Sequence, residues 1–165
     1  MCIRDSEFGD KPYMTREETS KYTDLLTDGK ARMFTWVMEA KSVVTSPSPE
    51  KPILQKGIQQ LRGLAWSGKG KIKRVDVSLD GGKNWRTAQL HAPIMSKSLV
   101  RFTLPFEWSG EELLIQSRAI DETGYVQPYI QELQKIRGKN SIYHNNSIAT
   151  WLVSKSGRVD NVRLG

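Results

Sequence analysis

The sequence predicts an all-β fold, an antiparallel β-sandwich of about seven or eight strands preceded by a short irregular segment. Short apolar series alternate with polar residues at the two-residue period of a strand. Turns rich in Gly, Pro, Asp and Asn separate these series at the regular intervals of a sandwich. Helical periodicity is almost absent, so helical bundles and α/β folds are disfavoured.

The composition fits this class. A chain of 165 residues suits one domain of ordinary size. A single cysteine excludes a disulfide scaffold and any zinc site that needs two or more cysteines. No apolar run approaches the roughly 18 residues of a membrane-spanning helix, so we expect no membrane partner.

The first part of the chain is polar and rich in turns. Residues 7–32 contain several breakers, and Thr15 with Glu18 fits a capping box for one short helical turn. The period then changes, because Phe34, Trp36 and Met38 alternate with their neighbours and predict a strand that ends at residues 43–44. The three prolines of residues 46–52 predict a loop.

The middle of the chain predicts a series of hairpins. Residues 58–66 read as a strand, and residues 72–79 read as the next one, with a slip in the alternation near Lys73. Residues 80–84 then predict a tight turn, since glycines accept the positive φ that such turns need. Residues 85–90 are predicted as the return strand.

The last part continues the pattern. Further strands are predicted at residues 99–106, 113–120, 147–153 and 158–163. This number of short strands favours a sandwich of the immunoglobulin-like type. Residues 131–146 break the regular spacing of the predicted strands, because they are polar, irregular and long for a sandwich loop. Long loops of this kind often carry functional residues.

The positive charge could point to an anionic partner. Lys and Arg total 25 against 18 Asp and Glu, which gives a net charge of +7. The densest cluster holds Lys69, Lys71, Lys73 and Arg74, and the first three would share one solvated face in a strand. Acidic residues are interleaved throughout, so we expect solvated strand charge and no nucleic acid partner.

Few residues could carry chemistry. His91 and His144 are the only histidines, and we expect both to be surface or hydrogen-bonded loop residues. Asp80 and Asn84 superficially resemble a calcium loop, but the later acidic ligands are missing and a hairpin is predicted. Arg137 stands next to a glycine in the irregular segment, where a guanidinium could grip an oxyanion through its bidentate fork or simply lie in solvent.

Several motifs in this order resemble the C-terminal dimerisation domain of the sulfite oxidase family of molybdenum enzymes. The segments that carry the resemblance are 63–68 (GLAWSG), 74–85 (RVDVSLDGGKNW), 119–128 (AIDETGYVQP) and 136–138 (IRG). Within the family, three segments look most like the sulfane dehydrogenase subunits of bacterial thiosulfate-oxidising (Sox) systems. These segments are 13–22 (YMTREETSKY), 117–124 (SRAIDETG) and 140–144 (NSIYH). The resemblance extends from about Lys11 to the C-terminus.

The resemblance implies a domain division and a site residue. Residues 7–32 would close the molybdopterin-binding catalytic domain, and residues 33–165 would form the immunoglobulin-like dimerisation domain. In the family, the arginine of the Ile-Arg-Gly turn reaches the anion pocket beside the metal. Arg137 matches this arginine, and Gly138 would support its turn. No catalytic, cofactor-binding or metal-binding residue is carried over to this chain.

The resemblance also implies cofactor and partners. The complete enzyme would hold molybdenum in molybdopterin, form a homodimer through the β-sandwich and pass electrons to a c-type cytochrome in the periplasm. Its substrate would be sulfane sulfur on a carrier protein, or sulfite. The fragment alone would bind no cofactor and be inactive. The alternatives are sulfite oxidase or sulfite dehydrogenase proper, or a non-catalytic immunoglobulin-like binding module.

The start of the chain is expected to be foreign. Residues 1–6 resemble the translation of a transposon end used in sequencing libraries, which predicts a non-native leader and a protein that continues upstream. Cys2 would then be no native residue, and its surroundings do not match those of the family's molybdenum-ligand cysteine.

Overall fold

The computed structural model describes residues 9–10, 24–25, 28, 31–32, 37–139 and 144–164. The predicted leader, the capping box at Thr15 and the start of the strand predicted at Phe34 lie outside these residues. The chain divides into two compact units. One comprises residues 1–36 and 134–145, and the other comprises residues 37–133 and 146–165.

The larger unit is a sandwich of two antiparallel sheets, as the sequence predicts. Its four-stranded sheet has the order β3-β4-β8-β7 and its five-stranded sheet has the order β11-β10-β9-β5-β6. The strands are β3 (Lys41–Ser46), β4 (Gly57–Trp66), β5 (Ile72–Ser78), β6 (Arg86–Thr87), β7 (Gln89–Leu90), β8 (Val100–Trp108), β9 (Leu113–Asp121), β10 (Thr150–Val153) and β11 (Val159–Val162). In the smaller unit, β1 (Asp24–Leu25) pairs antiparallel with β2 (Ala31–Arg32). One helix of the described residues, α1 (Ile130–Arg137), crosses the boundary of the two units.

The core lies between the two sheets. On β8, Phe102, Leu104, Phe106 and Trp108 are buried and alternate with outward residues. On the opposite sheet, β5 and β9 supply smaller apolar side chains such as Val75. The aromatic residues of β8 therefore belong to the core, and this agrees with the sequence-based interpretation of the aromatics as core residues.

The slip in the alternation near Lys73 is a β-bulge. The pairing of β5 with β9 shifts register between Ile72 and Arg74. An extra residue in one strand moves the following side chains by one position, so Val75 and Val77 still point into the core. The local pattern therefore predicts both the strand and its irregularity.

The return strand predicted over residues 85–90 is wrong as a single element. Arg86 and Thr87 pair with β5 in the five-stranded sheet, whereas Gln89 and Leu90 pair with β8 in the four-stranded sheet. Ala88 is buried between these two pieces, and its N–H donates to the carbonyl of Val75. The chain thus changes sheets within this segment, and this division accounts for a larger number of strands than predicted.

Two further segments differ from the prediction. Residues 37–40 are irregular, and the strand there begins only at Lys41. The segment over residues 131–146 was expected to be irregular, but its first half is α1. No helix in the described part of the chain is long and apolar enough to cross a membrane.

Candidate functional site

The helix that carries the predicted site residue has a defined start. Tyr129 precedes α1, and its N–H donates to Oε2 of Glu132 at 3.1 Å, the reciprocal half of a capping box. The first turn closes when Leu133 N–H donates to the carbonyl of Tyr129 at 3.0 Å. Glu132 also lies where the helix dipole favours negative charge. The side chain of Leu133 is buried and holds this turn.

The same helix ends at the Arg137-Gly138 pair. Gly138 has a φ of +81°, which a residue with a side chain adopts only at a cost. Its N–H donates to the carbonyl of Gln134 at 2.9 Å, which closes the last turn in the left-handed capping motif. Lys135 and Arg137 place positive charge in this turn, as the dipole favours. The glycine therefore ends the helix directly after the arginine.

Arg137 is a buried residue. Only 2% of it is exposed, and it heads the largest fully buried side chains of the described residues. Its Nη1 donates to the main-chain carbonyl of His144 at 2.9 Å. A guanidinium stays protonated at any physiological pH, so Arg137 brings a permanent positive charge into the protein. Burial of such a charge requires polar partners, and the His144 carbonyl is one of them.

The two histidines make different contacts. His91 is exposed, and its Nε2 lies 2.8 Å from Oγ1 of Thr103. His144 contributes its main-chain carbonyl to Arg137. Among the residues that the structure describes, no three or more His, Cys, Asp or Glu side chains are grouped so that they could hold a metal ion.

The Asp80 turn uses its carboxylate for its own structure. Oδ1 of Asp80 accepts hydrogen bonds from the main-chain N–H groups of Asn84 at 2.9 Å and Lys83 at 3.0 Å. The Asn84 N–H and the side chains of Ser78 and Asn84 hold the pKa of Asp80 well below its usual range. These contacts describe a structural turn, as the hairpin prediction requires.

The lysine cluster lies only partly in a strand. Lys69 and Lys71 precede β5, and only Lys73 lies in the strand. Lys69 Nζ lies 3.5 Å from a carboxylate oxygen of Glu39 and 5.0 Å from the ring centre of Tyr125. All three lysine side chains are exposed, as expected of solvated charge, although only Lys73 lies in a strand.

Two buried polar centres are not predicted by the sequence pattern. Gln127 is 1% exposed and bonds to both sheets. Asp76 is 4% exposed and lies within 3.4 Å of Arg118 and 3.1 Å of Arg74. The guanidinium of Arg118 also stacks on the ring of Trp85 at 4.1 Å. The sequence marks these two residues only weakly: Asp76 is a polar residue between two valines of a strand, and Gln127 precedes a proline.

Comparison with known proteins relates this arrangement to molybdenum enzymes. Residues 32–151 match the Mo-co oxidoreductase dimerisation domain family. The chain is similar to the crystal structure of the sulfane dehydrogenase SoxCD from Paracoccus pantotrophus, with 59% identity and a TM-score of 0.89. That match covers 94% of this chain and 40% of the other.

Curated relatives point the same way. Sulfite oxidase of Gallus gallus is 40% identical over 98 residues, which is 55% of this chain and 21% of the relative. Mitochondrial sulfite oxidase of Homo sapiens is 33% identical over 98 residues, covering 55% of this chain and 18% of the relative. An NADH nitrate reductase of Solanum lycopersicum is 37% identical over 105 residues, covering 55% of this chain and 12% of the relative.

The sandwich, the motif order and the family match agree with one another. The chain spans about a fifth or less of the curated relatives it matches. It belongs to the Mo-co oxidoreductase dimerisation domain family, within the sulfite oxidase family of molybdenum oxidoreductases.

Proposed function

We propose that this chain is the dimerisation part of a sulfane dehydrogenase-like molybdenum enzyme and that Arg137 binds the anionic substrate. The observation that carries the proposal is the similarity to SoxCD, at 59% identity over 94% of this chain. Residues 33–165 form the dimerisation domain in this proposal, and residues 7–32 close the catalytic domain.

Arg137 serves the substrate pocket through its permanent charge. Sulfur oxyanions are bound best by groups that stay positive and present a planar pair of donors. The bond to the His144 carbonyl fixes one edge of the guanidinium, and the Gly138 turn fixes where the helix ends. A charge held in this way needs little reorganisation when an anion arrives.

The cofactor belongs to the rest of the enzyme. Molybdopterin-bound molybdenum supplies the redox chemistry that oxidises the sulfur. The residues described in this chain offer no metal-binding group of their own. In this proposal the fragment alone is inactive, the substrate is sulfane sulfur on a carrier protein, and the electrons pass to a c-type cytochrome in the periplasm.

Self-association of the 165-residue chain tests the dimer. Sedimentation equilibrium over a range of concentrations should show a monomer–dimer equilibrium that salt changes little, since an interface of this class is mainly apolar. Retention on heparin or nucleic acid that salt abolishes, with a monomer at every concentration, would favour the free-standing binding module instead.

Arg137→Gln in the complete enzyme tests the pocket. We expect kcat/KM for the sulfur substrate to fall by the equivalent of about 2–4 kcal/mol, as for a lost charge-assisted contact. Arg137→Lys should recover part of the loss because the charge remains. Lys135→Gln, an exposed cation in the same helical turn, is the matched control. Wild-type kinetics in Arg137→Gln would overturn the assignment.

Sulfite is the second candidate substrate, favoured by the 40% identity to sulfite oxidase of Gallus gallus. The ratio of kcat/KM for sulfite to kcat/KM for carrier-bound sulfane sulfur decides between the two. A ratio far above one assigns the enzyme to sulfite oxidation and leaves the dimerisation role unchanged.

A further inference from the structure

The outer face of the four-stranded sheet carries a basic depression. A cavity of about 490 Å³ lies there, and its polar lining residues are Arg62, Arg101, His91, Gln60, Thr45 and Thr103. No Asp or Glu is among its lining residues. The depression belongs wholly to the larger unit and uses none of the residues proposed for the substrate pocket.

Strand register brings the two arginines together. Arg62 on β4 lies opposite Thr103 on β8, and Arg101 on β8 lies opposite Leu64 on β4. The arginines are therefore diagonal neighbours on one sheet face, where long side chains reach one another. His91 lies beside the arginines, because its main-chain N–H donates to the carbonyl of Arg101 at 2.9 Å. Its ring Nε2 lies 2.8 Å from Oγ1 of Thr103.

The two guanidinium groups have no carboxylate partner in the described part of the sandwich. Within residues 37–139 and 144–164, neither Arg62 nor Arg101 pairs with a carboxylate. Glu107 is the acidic residue of β8 on this face, and it lies opposite Ile58, beyond the Gln60–Pro105 pair. Elsewhere in the sandwich, exposed cations such as Lys155 and Arg158 do have carboxylate partners.

We propose that this face docks a carboxylate-rich surface of another protein. A two-fold contact with a second copy whose axis passes through this face would set arginines against arginines, which costs free energy. A single small oxyanion on exposed arginines is weakly held in water, and the depression is much wider than one such ion. Several carboxylates on one rigid surface neutralise both arginines at once.

A nucleic acid fits this face less well. Binding to a phosphate backbone normally uses many cations in a row, and single strands also use exposed aromatic rings for stacking. The depression offers two arginines and one histidine, and its one aromatic lining residue, Phe102, is buried in the core. Binding of a nucleic acid is therefore one of the outcomes that would overturn the proposal.

The test uses the full chain and a fluorescein-labelled glutamate-rich peptide, with the glutamine version of the peptide as a blank. Anisotropy should show binding at low salt that weakens as salt rises. Arg62→Gln with Arg101→Gln should weaken it on the order of tenfold or more. Lys73→Gln with Arg163→Gln removes the same charge from exposed positions on β5 and after β11, and should change it by less than about twofold.

Other outcomes overturn the proposal. Equal losses in both double variants would show a response to net charge alone. Displacement of the peptide by sulfate, and not by chloride of equal ionic strength, would assign a small-oxyanion site. Single-stranded DNA that binds as tightly as the peptide or more tightly, and that also depends on Arg62 and Arg101, would assign a nucleic acid surface. If the wild-type chain does not bind the peptide at all, the proposed docking surface does not exist. None of these outcomes alters the dimerisation or Arg137 proposals.

Discussion

Oε1 of Gln127 accepts a hydrogen bond from the main-chain N–H of Ser42 at 2.8 Å, across 85 residues of sequence. The same oxygen accepts from Oγ of Ser42 at 2.8 Å and from the N–H of Ala119 at 3.0 Å. Ser42 belongs to β3 and Ala119 to β9, so one buried amide joins the two sheets. With its proton on Gln127, Oγ of Ser42 is left to accept from Oγ of Ser117 on β9, which lies 2.9 Å away.

Removal of this amide should destabilise the sandwich. Gln127→Ala leaves two buried main-chain donors without their acceptor, and each orphaned group costs about 1–3 kcal/mol. We expect the free energy of unfolding in urea to fall by about 3 kcal/mol. Gln131→Ala, which truncates an exposed glutamine on α1, should change it by less than about 0.5 kcal/mol. Similar values for both variants would contradict a joining role for Gln127.

Two glycines in similar conformations should respond differently to alanine. Gly157 has a φ of +82° and Gly124 a φ of +86°, so both substitutions cost about 1 kcal/mol in backbone strain. A Cβ at Gly157 would also overlap the carbonyl oxygen of Ile53, whereas nothing lies within 4 Å of a Cβ at Gly124. We expect thermal unfolding to show Gly157→Ala less stable than Gly124→Ala by about 2 kcal/mol. A smaller loss for Gly157→Ala would refute the close approach.

Substitution of the buried Asp76 should destabilise the fold more than substitution of the half-buried Asp160, although the ion pair of Asp160 is shorter. Asp76→Asn leaves Arg74 and Arg118 without their counter-charge, and Arg118 is held beside Trp85. We expect a loss of about 2 kcal/mol, less than for a fully buried pair because both arginines are partly exposed. Asp160→Asn removes a 2.8 Å contact with Arg158 at the surface and should cost at most about 0.5 kcal/mol. Urea unfolding of the two variants measures the contrast.

Asp121 should make the sandwich sensitive to acid. Burial alone would raise the pKa of Asp121, but hydrogen bonds from Thr123, Ser67 and Tyr125 outweigh it and hold the pKa below its ordinary value. A lowered pKa stabilises the folded state above the unfolded pKa of about 3.9, and this contribution disappears as pH falls through the lower folded value.

The test compares wild type with Asp121→Asn by urea unfolding across this range. The variant should be less stable by about 2 kcal/mol at neutral pH, because charged acceptors make the stronger bonds. The difference should shrink as the wild-type carboxylate is protonated. Glu107→Gln, at an exposed site, should show no such convergence. A difference that stays constant down to low pH would contradict the linkage.

The strands and tight turns follow from local sequence. A strand with one face in the core alternates apolar and polar residues, and this alternation predicts β4, β8 and β9. The bulge in β5 appears as a slip in the same alternation. The Asp80 turn is local as well, since its carboxylate bonds to residues within four positions. Family membership likewise follows from short motifs in a fixed order.

Only the tertiary structure decided which polar residues are buried. Gln127 and Asp76 find partners far along the chain or on a neighbouring strand, and no local period encodes such pairings. Arg137 bonds to the His144 carbonyl seven residues away, beyond the end of its helix, where no helical period predicts a contact. The sequence pattern also does not predict the division of residues 85–90 between two sheets or the helix that ends at Arg137. In both segments the contacts with neighbouring elements outweigh weak local preferences. The sequence determined the layers of this domain, while packing in three dimensions determined where its buried charges and amides lie.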